Sequence, residues 1–128
     1  MITVLCNGVF DILHIGHVQH LREARAMGGK LVVALTADAF VNKGEGKPVN
    51  TWKDRAEMLR ALRCVDDVIS TDSAVAAIAR VAPDFFVKGI DYADGKHFTE
   101  NIAQACEEVG AHLCYTSTAK RSAAEWSK

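Results

Sequence analysis

Asn7-Gly8-Val9-Phe10-Asp11-Ile12-Leu13-His14-Ile15-Gly16-His17 decides how this chain is read, because it joins two segments of opposite periodicity. Residues 2–6 form a short apolar, β-branched run of the kind that makes a buried strand. From Val18 onward Leu21, Ala24 and Met27 recur at near-helical spacing. Two histidines and two glycines therefore fall where a strand hands over to a helix. A helix start offers backbone N–H groups without intrahelical partners and the positive end of a dipole, and both favour an anion. His14 and His17 add side-chain donors there, while Gly8 and Gly16 remove side chains where a phosphate would approach the backbone. The stretch reads as a phosphate site of a nucleotide; a polar helix start or a metal site at three-residue spacing are the alternatives left open. His20 reads as a helix-surface residue.

Outward from this stretch, strand-like runs recur at residues 30–36, 67–70, 84–88 and 111–115, with helical patterns between them. Met58, Leu59, Leu62 and Val65 make one helix, with Thr51 or Asn50 as its cap and Asp54 in its first turn. Val75, Ile78, Ala79 and Ala82 make a second, ended by Pro83, and Ile102, Cys106 and Val109 a third, ended by Gly110. The alternation predicts an α/β fold, a Rossmann-like doubly wound parallel sheet of about five strands in three α/β/α layers. Phe85-Phe86-Val87 is apolar without alternation, which places that strand near the middle of the sheet.

At 128 residues, without linker, repeat or low-complexity tract, residues 1–128 read as a single domain. An apolar share of 49% and a charged share of 24% are those of an ordinary globular chain, and no apolar run is long enough to insert into a membrane. A net charge of −1 argues against a nucleic-acid partner, which calls for a basic excess. Cys6, Cys64, Cys106 and Cys114 show no Cys-x-x-Cys pairing and read as buried reduced thiols. Met1 leads straight into the first strand, so a cytoplasmic protein without a targeting segment is expected.

In an open parallel sheet, ligands bind outside the carboxyl ends of the strands. Residues 8–17, Thr36 with Asp38, residues 89–92 and residues 116–122 all fall there. Neither a Walker A pattern nor Gly-x-Gly-x-x-Gly is present. The one long irregular segment, residues 41–50, sets Lys43 and Lys47 beside Gly44 and Gly46, so it can lower two ammonium groups onto phosphates or stand as a solvated loop. Asp11 and Asp38 suit the hydroxyls of a polyol or sugar better than its phosphate, with helix capping the alternative for Asp38.

Gly8-x-Phe10-Asp11-x-x-His14-x-Gly16-His17 after a first strand resembles the signature of the cytidylyltransferase-like nucleotidyltransferases, and the resemblance runs from Val4 to about Tyr115. Within them the chain is similar to the adenylyltransferase domain of ADP-heptose synthesis enzymes and, nearly as much, to glycerol-3-phosphate cytidylyltransferase. The first likeness includes Lys43-Gly44-x-x-Lys47-Pro48-Val49-Asn50 and Lys88-Gly89-Ile90-Asp91-Tyr92.

The resemblance implies transfer of a nucleotidyl group from ATP or CTP to a sugar- or polyol-phosphate, with release of pyrophosphate. Mg²⁺ would accompany the triphosphate, with no dedicated metal ligands on the protein, and a homodimer is expected. His14, His17 and Lys47 are then the catalytic candidates. Gly8, Val9, Phe10, His14, Gly16, His17, Lys43, Lys88, Gly89, Asp91, Tyr92, Thr116 and Ser122 would bind the nucleotide, and Asp11, Asp38 and Arg55 the acceptor. Arg55 matches an arginine that contacts phosphate or fixes the loop. Relatives carry Ser-Thr-Thr where this chain has Ser122-Ala123-Ala124 after Lys120-Arg121, a departure that keeps a nucleotide-binding module without turnover in view.

Overall fold

The structure, a computed structural model, describes residues 1–41, 48–93 and 100–117, with Asp91 as backbone alone. Five strands, β1 (Thr3–Gly8), β2 (Lys30–Thr36), β3 (Asp67–Thr71), β4 (Phe85–Gly89) and β5 (His112–Thr116), form one sheet in the order β3-β2-β1-β4-β5. Every neighbouring pair is parallel. The helices are α1 (Ile15–Arg25), α2 (Trp52–Arg60), α3 (Ala74–Val81) and α4 (Ile102–Val109).

Alternation along the strands sorts the core into two layers. Val4, Cys6, Val33 and Leu35 pack with Leu21 and Ala24 of α1 and Ala56 and Leu59 of α2. Leu5, Val32, Ala34 and Phe86 point to the other face, against Ala77 and Ile78 of α3 and Ile102 and Cys106 of α4. This is the expected doubly wound α/β arrangement. The central strand is β1, however, and β4 lies one place away, between β1 and β5. The chain winds from β1 through β2 to β3, then returns to place β4 on the opposite side of β1. That reversal opens a crevice beyond the carboxyl ends of β1 and β4.

Three element ends carry local explanations. Helix α1 begins at Ile15, earlier than hydrophobic spacing suggests, because His14 caps it: its Nδ1 accepts the Gly16 N–H at 3.1 Å, and His17 Nδ1 accepts the His14 N–H at 3.1 Å. The pair is an imidazole version of the capping box. Helix α3 stops at Ala82, left-handed at φ 46°, because the following Pro83 disfavours helical geometry in the residue before it. Gly110 closes α4 at φ 75°, where a Cβ would touch nothing within 4 Å, so conformation alone asks for glycine there.

Candidate active site

Strand β1 runs out at Gly8, and Phe10, at φ 50°, turns the chain back over it. A Cβ on Gly8 would lie 2.8 Å from the Phe10 ring, so it is this ring that excludes a side chain at position 8. The Phe10 ring is buried and meets the His17 imidazole edge-on, with centroids 5.3 Å apart. His14 and His17 stack at 3.9 Å with 25° between their planes. Since each Nδ1 accepts a backbone N–H, the neutral rings carry their protons on Nε2. Two imidazoles with Nε2–H donors therefore stack at the start of α1.

Arg55 is the largest fully buried side chain, and its guanidinium ties three chain segments together. Nε donates to the Asn50 carbonyl at 3.0 Å, Nη1 to those of Val9 and Thr36 at 2.9 Å each, and Nη2 to Asp38 Oδ1 at 2.6 Å. Of the two roles expected for it, this geometry is that of fixing the loop, with its donors turned to protein rather than outward to an acceptor. Asp38 keeps a side chain 46% exposed at the crevice rim while its Oδ1 holds Arg55.

Asp11 departs from the expectation that it would take the acceptor's hydroxyls. It is buried, and its carboxylate accepts Val49 N at 2.6 Å, Asn50 N at 3.2 Å and Asn50 Nδ2 at 3.1 Å. Burial alone would raise this carboxyl's pKa, but those hydrogen bonds and the nearby Arg55 charge outweigh it and hold it below the ordinary value. The side chain thus pins the residues preceding α2 to the β1–α1 turn. With Asn50 taken up there, Thr51 caps α2.

Across the switch point Lys88 bridges β4 and β1, its Nζ donating to the Asn7 carbonyl at 3.2 Å and lying 4.5 Å from the centroid of the Tyr92 ring. Beneath it the Cys6 thiol is pushed up to about 12, burial outweighing the opposing Lys88 charge. Thr36 Oγ1 donates to the Gly8 carbonyl at 3.2 Å, closing the same crest from β2.

Thr116 departs from its expected contact with nucleotide: it is fully buried, and its hydroxyl lies 2.7 Å from His20 Nδ1. His20 is correspondingly not a helix-surface residue but half-buried against the end of β5. One turn further along α1, Glu23 accepts Ser117 N at 2.9 and 3.1 Å and Ser117 Oγ at 3.2 Å. Neither contact is evident in the sequence, although His14, His17, His20 and Glu23 repeat every third residue along one helix stripe.

The structure thus gathers His14, His17, Gly16, Asp38, Lys88, Gly89 and Tyr92 around the carboxyl ends of β1, β2 and β4, and places Val9 in the wall through its carbonyl. Lys43, Lys47 and Ser122, with Gly44, Gly46 and the 120–125 segment, lie outside the described residues, as does the Asp91 side chain. Among the described residues no helix is long and apolar enough to cross a membrane.

A doubly wound parallel sheet with paired imidazole donors at the carboxyl end of its central strand is the frame of a nucleotide-handling α/β domain. The family model described as cytidylyltransferase-like matches residues 5–123, and the chain belongs to that family, a family of nucleotidyltransferases.

Among curated relatives, the bifunctional protein HldE of Shewanella sp. (strain ANA-3) is 46% identical over 113 residues, covering 85% of this chain and 23% of the relative. The bifunctional protein HldE of Helicobacter acinonychis is 43% identical over 116 residues, 84% of this chain and 25% of its own length. The chain therefore spans about a quarter of the curated relatives it matches. A solved structure of a lipopolysaccharide core biosynthesis protein from Thermoplasma volcanium GSS1 superposes with a TM-score of 0.77 at 28% identity, covering 94% of this chain and 99% of that one. A protein of unknown function from Archaeoglobus fulgidus, at 18% identity and TM-score 0.68, shares the fold.

Proposed function

We propose that the chain transfers an adenylyl group from ATP to a phosphorylated sugar of the heptose-phosphate kind, releasing pyrophosphate. A phosphate oxygen of the acceptor attacks the α-phosphorus, and the bond from that phosphorus to the oxygen bridging the β-phosphate breaks. The protein supplies no nucleophile. Its task is alignment and neutralisation of the charge that builds on the α-phosphate and the leaving pyrophosphate.

The observation that carries this reading is the reciprocal His14–His17 cap, which stacks two imidazoles with Nε2–H donors where a helix start already favours an anion. Lys43 and Lys47 would add charge over the β- and γ-phosphates, while Gly89, Asp91 and Tyr92 would meet the nucleoside and Asp38 the acceptor. Mg²⁺ would arrive with the triphosphate; among the described residues no cluster of three His, Cys, Asp or Glu is placed to hold it. The choice of ATP and heptose phosphate rests on the Lys43–Asn50 and Lys88–Tyr92 resemblances, and the Thermoplasma protein's named role in lipopolysaccharide core biosynthesis agrees with it. A cytoplasmic homodimer belongs to the same reading.

The test is pyrophosphate release with Mg²⁺, each nucleoside triphosphate and a panel of sugar and polyol phosphates. Release with ATP and a heptose phosphate is expected. Release confined to CTP with glycerol 3-phosphate would replace this assignment with the cytidylyltransferase one. Tight nucleotide binding without release across the panel would reduce the chain to a binding module.

A further inference from the structure

The two halves of the sheet part where the crevice opens. The β1–β2 register continues to Gly8–Leu35 and the β4–β5 register to Gly89–Thr116, but among the described residues β1 and β4 are in register at Val4–Phe85 and Leu5–Phe86 alone. Past Leu5 and Phe86, therefore, no ladder sets the distance from the imidazole pair on the β1 side to Gly89 and Tyr92 on the β4 side. Side chains span the gap instead. Lys88 does so once, through the Asn7 carbonyl at 3.2 Å.

Helix α1 spans it a second time, by reaching over to the end of β5. His20 Nδ1 lies 2.7 Å from the hydroxyl of the fully buried Thr116, and Glu23 accepts Ser117 N at 2.9 and 3.1 Å and Ser117 Oγ at 3.2 Å. His20 is three residues past His17, about 4.5 Å along the axis, and Thr116 is the register partner of Gly89. One short step thus joins this fastening to the imidazoles, and one ladder step joins it to the opposite wall. Leu21 and Ala24 also hold α1 to the sheet, but apolar burial is non-directional and leaves a helix able to slide or roll. Glu23 lies in the last turn of α1, where the helix dipole disfavours a carboxylate, and helix stability alone does not account for an acid there.

We propose, resting on the nucleotidyl-transfer reading, that His20 and Glu23 are positioning residues: by fastening α1 to the end of β5 they fix how far the His14–His17 pair stands from Gly89 and Tyr92. A nucleotide held between those walls feels a change in that distance. The acceptor feels it less, because Asp38 follows β2 and lies on the same half of the sheet as the start of α1.

The full chain is compared with Glu23→Ala/Thr116→Val, in which valine keeps the buried shape and removes the hydroxyl, and with Glu23→Gln; each is checked for cooperative urea unfolding. Pyrophosphate release is measured with Mg²⁺, ATP and a heptose phosphate, or with CTP and glycerol 3-phosphate where only that pair reacts. The double variant is expected to lose about tenfold in kcat and to raise the triphosphate KM about threefold with the acceptor KM unchanged. Glu23→Gln, which retains one acceptor oxygen, should fall between it and the wild type. A fall in kcat that merely follows the folded fraction with both KM values unchanged, equal rises in both KM values, or unaltered kinetics would each overturn the proposal. Calorimetric titration with the triphosphate and Mg²⁺, without acceptor, separates this result from the transferase reading. A wild type that binds the triphosphate but releases no pyrophosphate would overturn that reading alone; weaker binding by the double variant would still support the positioning role, and equal binding would overturn it. A wild type that neither binds nor reacts would overturn both.

Discussion

Replacing Arg55 tests whether the crest of the sheet is held from inside or shaped by ligand. In Arg55→Met the hydrocarbon stem is kept and four hydrogen bonds are lost, leaving the carbonyls of Val9, Thr36 and Asn50 without their shared donor. Each stranded buried acceptor costs about 1–3 kcal/mol, so the ceiling is roughly 9 kcal/mol. Water entering the crest and the half-exposed Asp38 side chain recovering its hydration lower this, and the expected loss is about 3–5 kcal/mol. That is a large part of the roughly 5–15 kcal/mol that holds a domain together.

Arg55→Lys keeps the charge but not the planar fork, and should lose about 2 kcal/mol. Urea unfolding of both variants beside the wild type measures the loss, and pyrophosphate release measures activity in parallel. A structural brace makes the two fall together in the order wild type, Lys, Met. Full stability in Arg55→Lys with a collapse in triphosphate affinity alone would refute the reasoning and return Arg55 to the phosphates.

His17→Ala removes an Nε2–H donor and the acceptor of the His14 N–H; turnover should drop about 10²–10³-fold while stability falls by only about 1 kcal/mol, as read by pyrophosphate release and urea unfolding. Asp11 contributes stability that is present above its unfolded pKa and lost as pH falls through the lower folded value, because its carboxyl is held down in the native state. The urea midpoint of Asp11→Asn should therefore be lower than wild type at pH 6.5, with the gap narrowing at pH 3 and below; a gap constant with pH would contradict the shift. Gly8→Ala forces a Cβ to within 2.8 Å of the Phe10 ring and should cost about 1–3 kcal/mol by overpacking. Adding Phe10→Leu should relieve part of that cost in the same unfolding assay.

Period and punctuation made the fold legible where they act locally. β2 has the bounds its sequence suggests because five buried residues stand between Lys30 and Thr36. The other strands run on to Gly8, Thr71, Gly89 and Thr116, since glycine and threonine can join a parallel ladder without adding an apolar signal. These ends all lie on the carboxyl side of the sheet, the side on which the crevice opens. The start of α1 was obscured because an imidazole does the work for which Ser, Thr, Asp or Asn is the usual sign.

The site divides the same way. The placement of His14 and His17 at the strand-to-helix junction is legible because their backbone and side-chain partners are two and three residues away. Asp11 and Arg55 look like ligand-facing polar residues in sequence because their partners are remote: Asn50 lies 39 positions from Asp11, and Val9 lies 46 from Arg55. Burial, which turns such groups inward, is a property of the assembled sheet.

The reciprocal cap also limits what the imidazoles can do with a hydrogen. To relay a proton, a ring must lose it from one nitrogen and gain it at the other, yet here the other nitrogen is occupied by an amide hydrogen that stays on its peptide group. His14 and His17 are therefore fixed dipoles, electrostatic furniture rather than carriers. In the proposed reaction no proton is in flight between ring and phosphate, and turnover should run at nearly the same speed in deuterium oxide as in ordinary water.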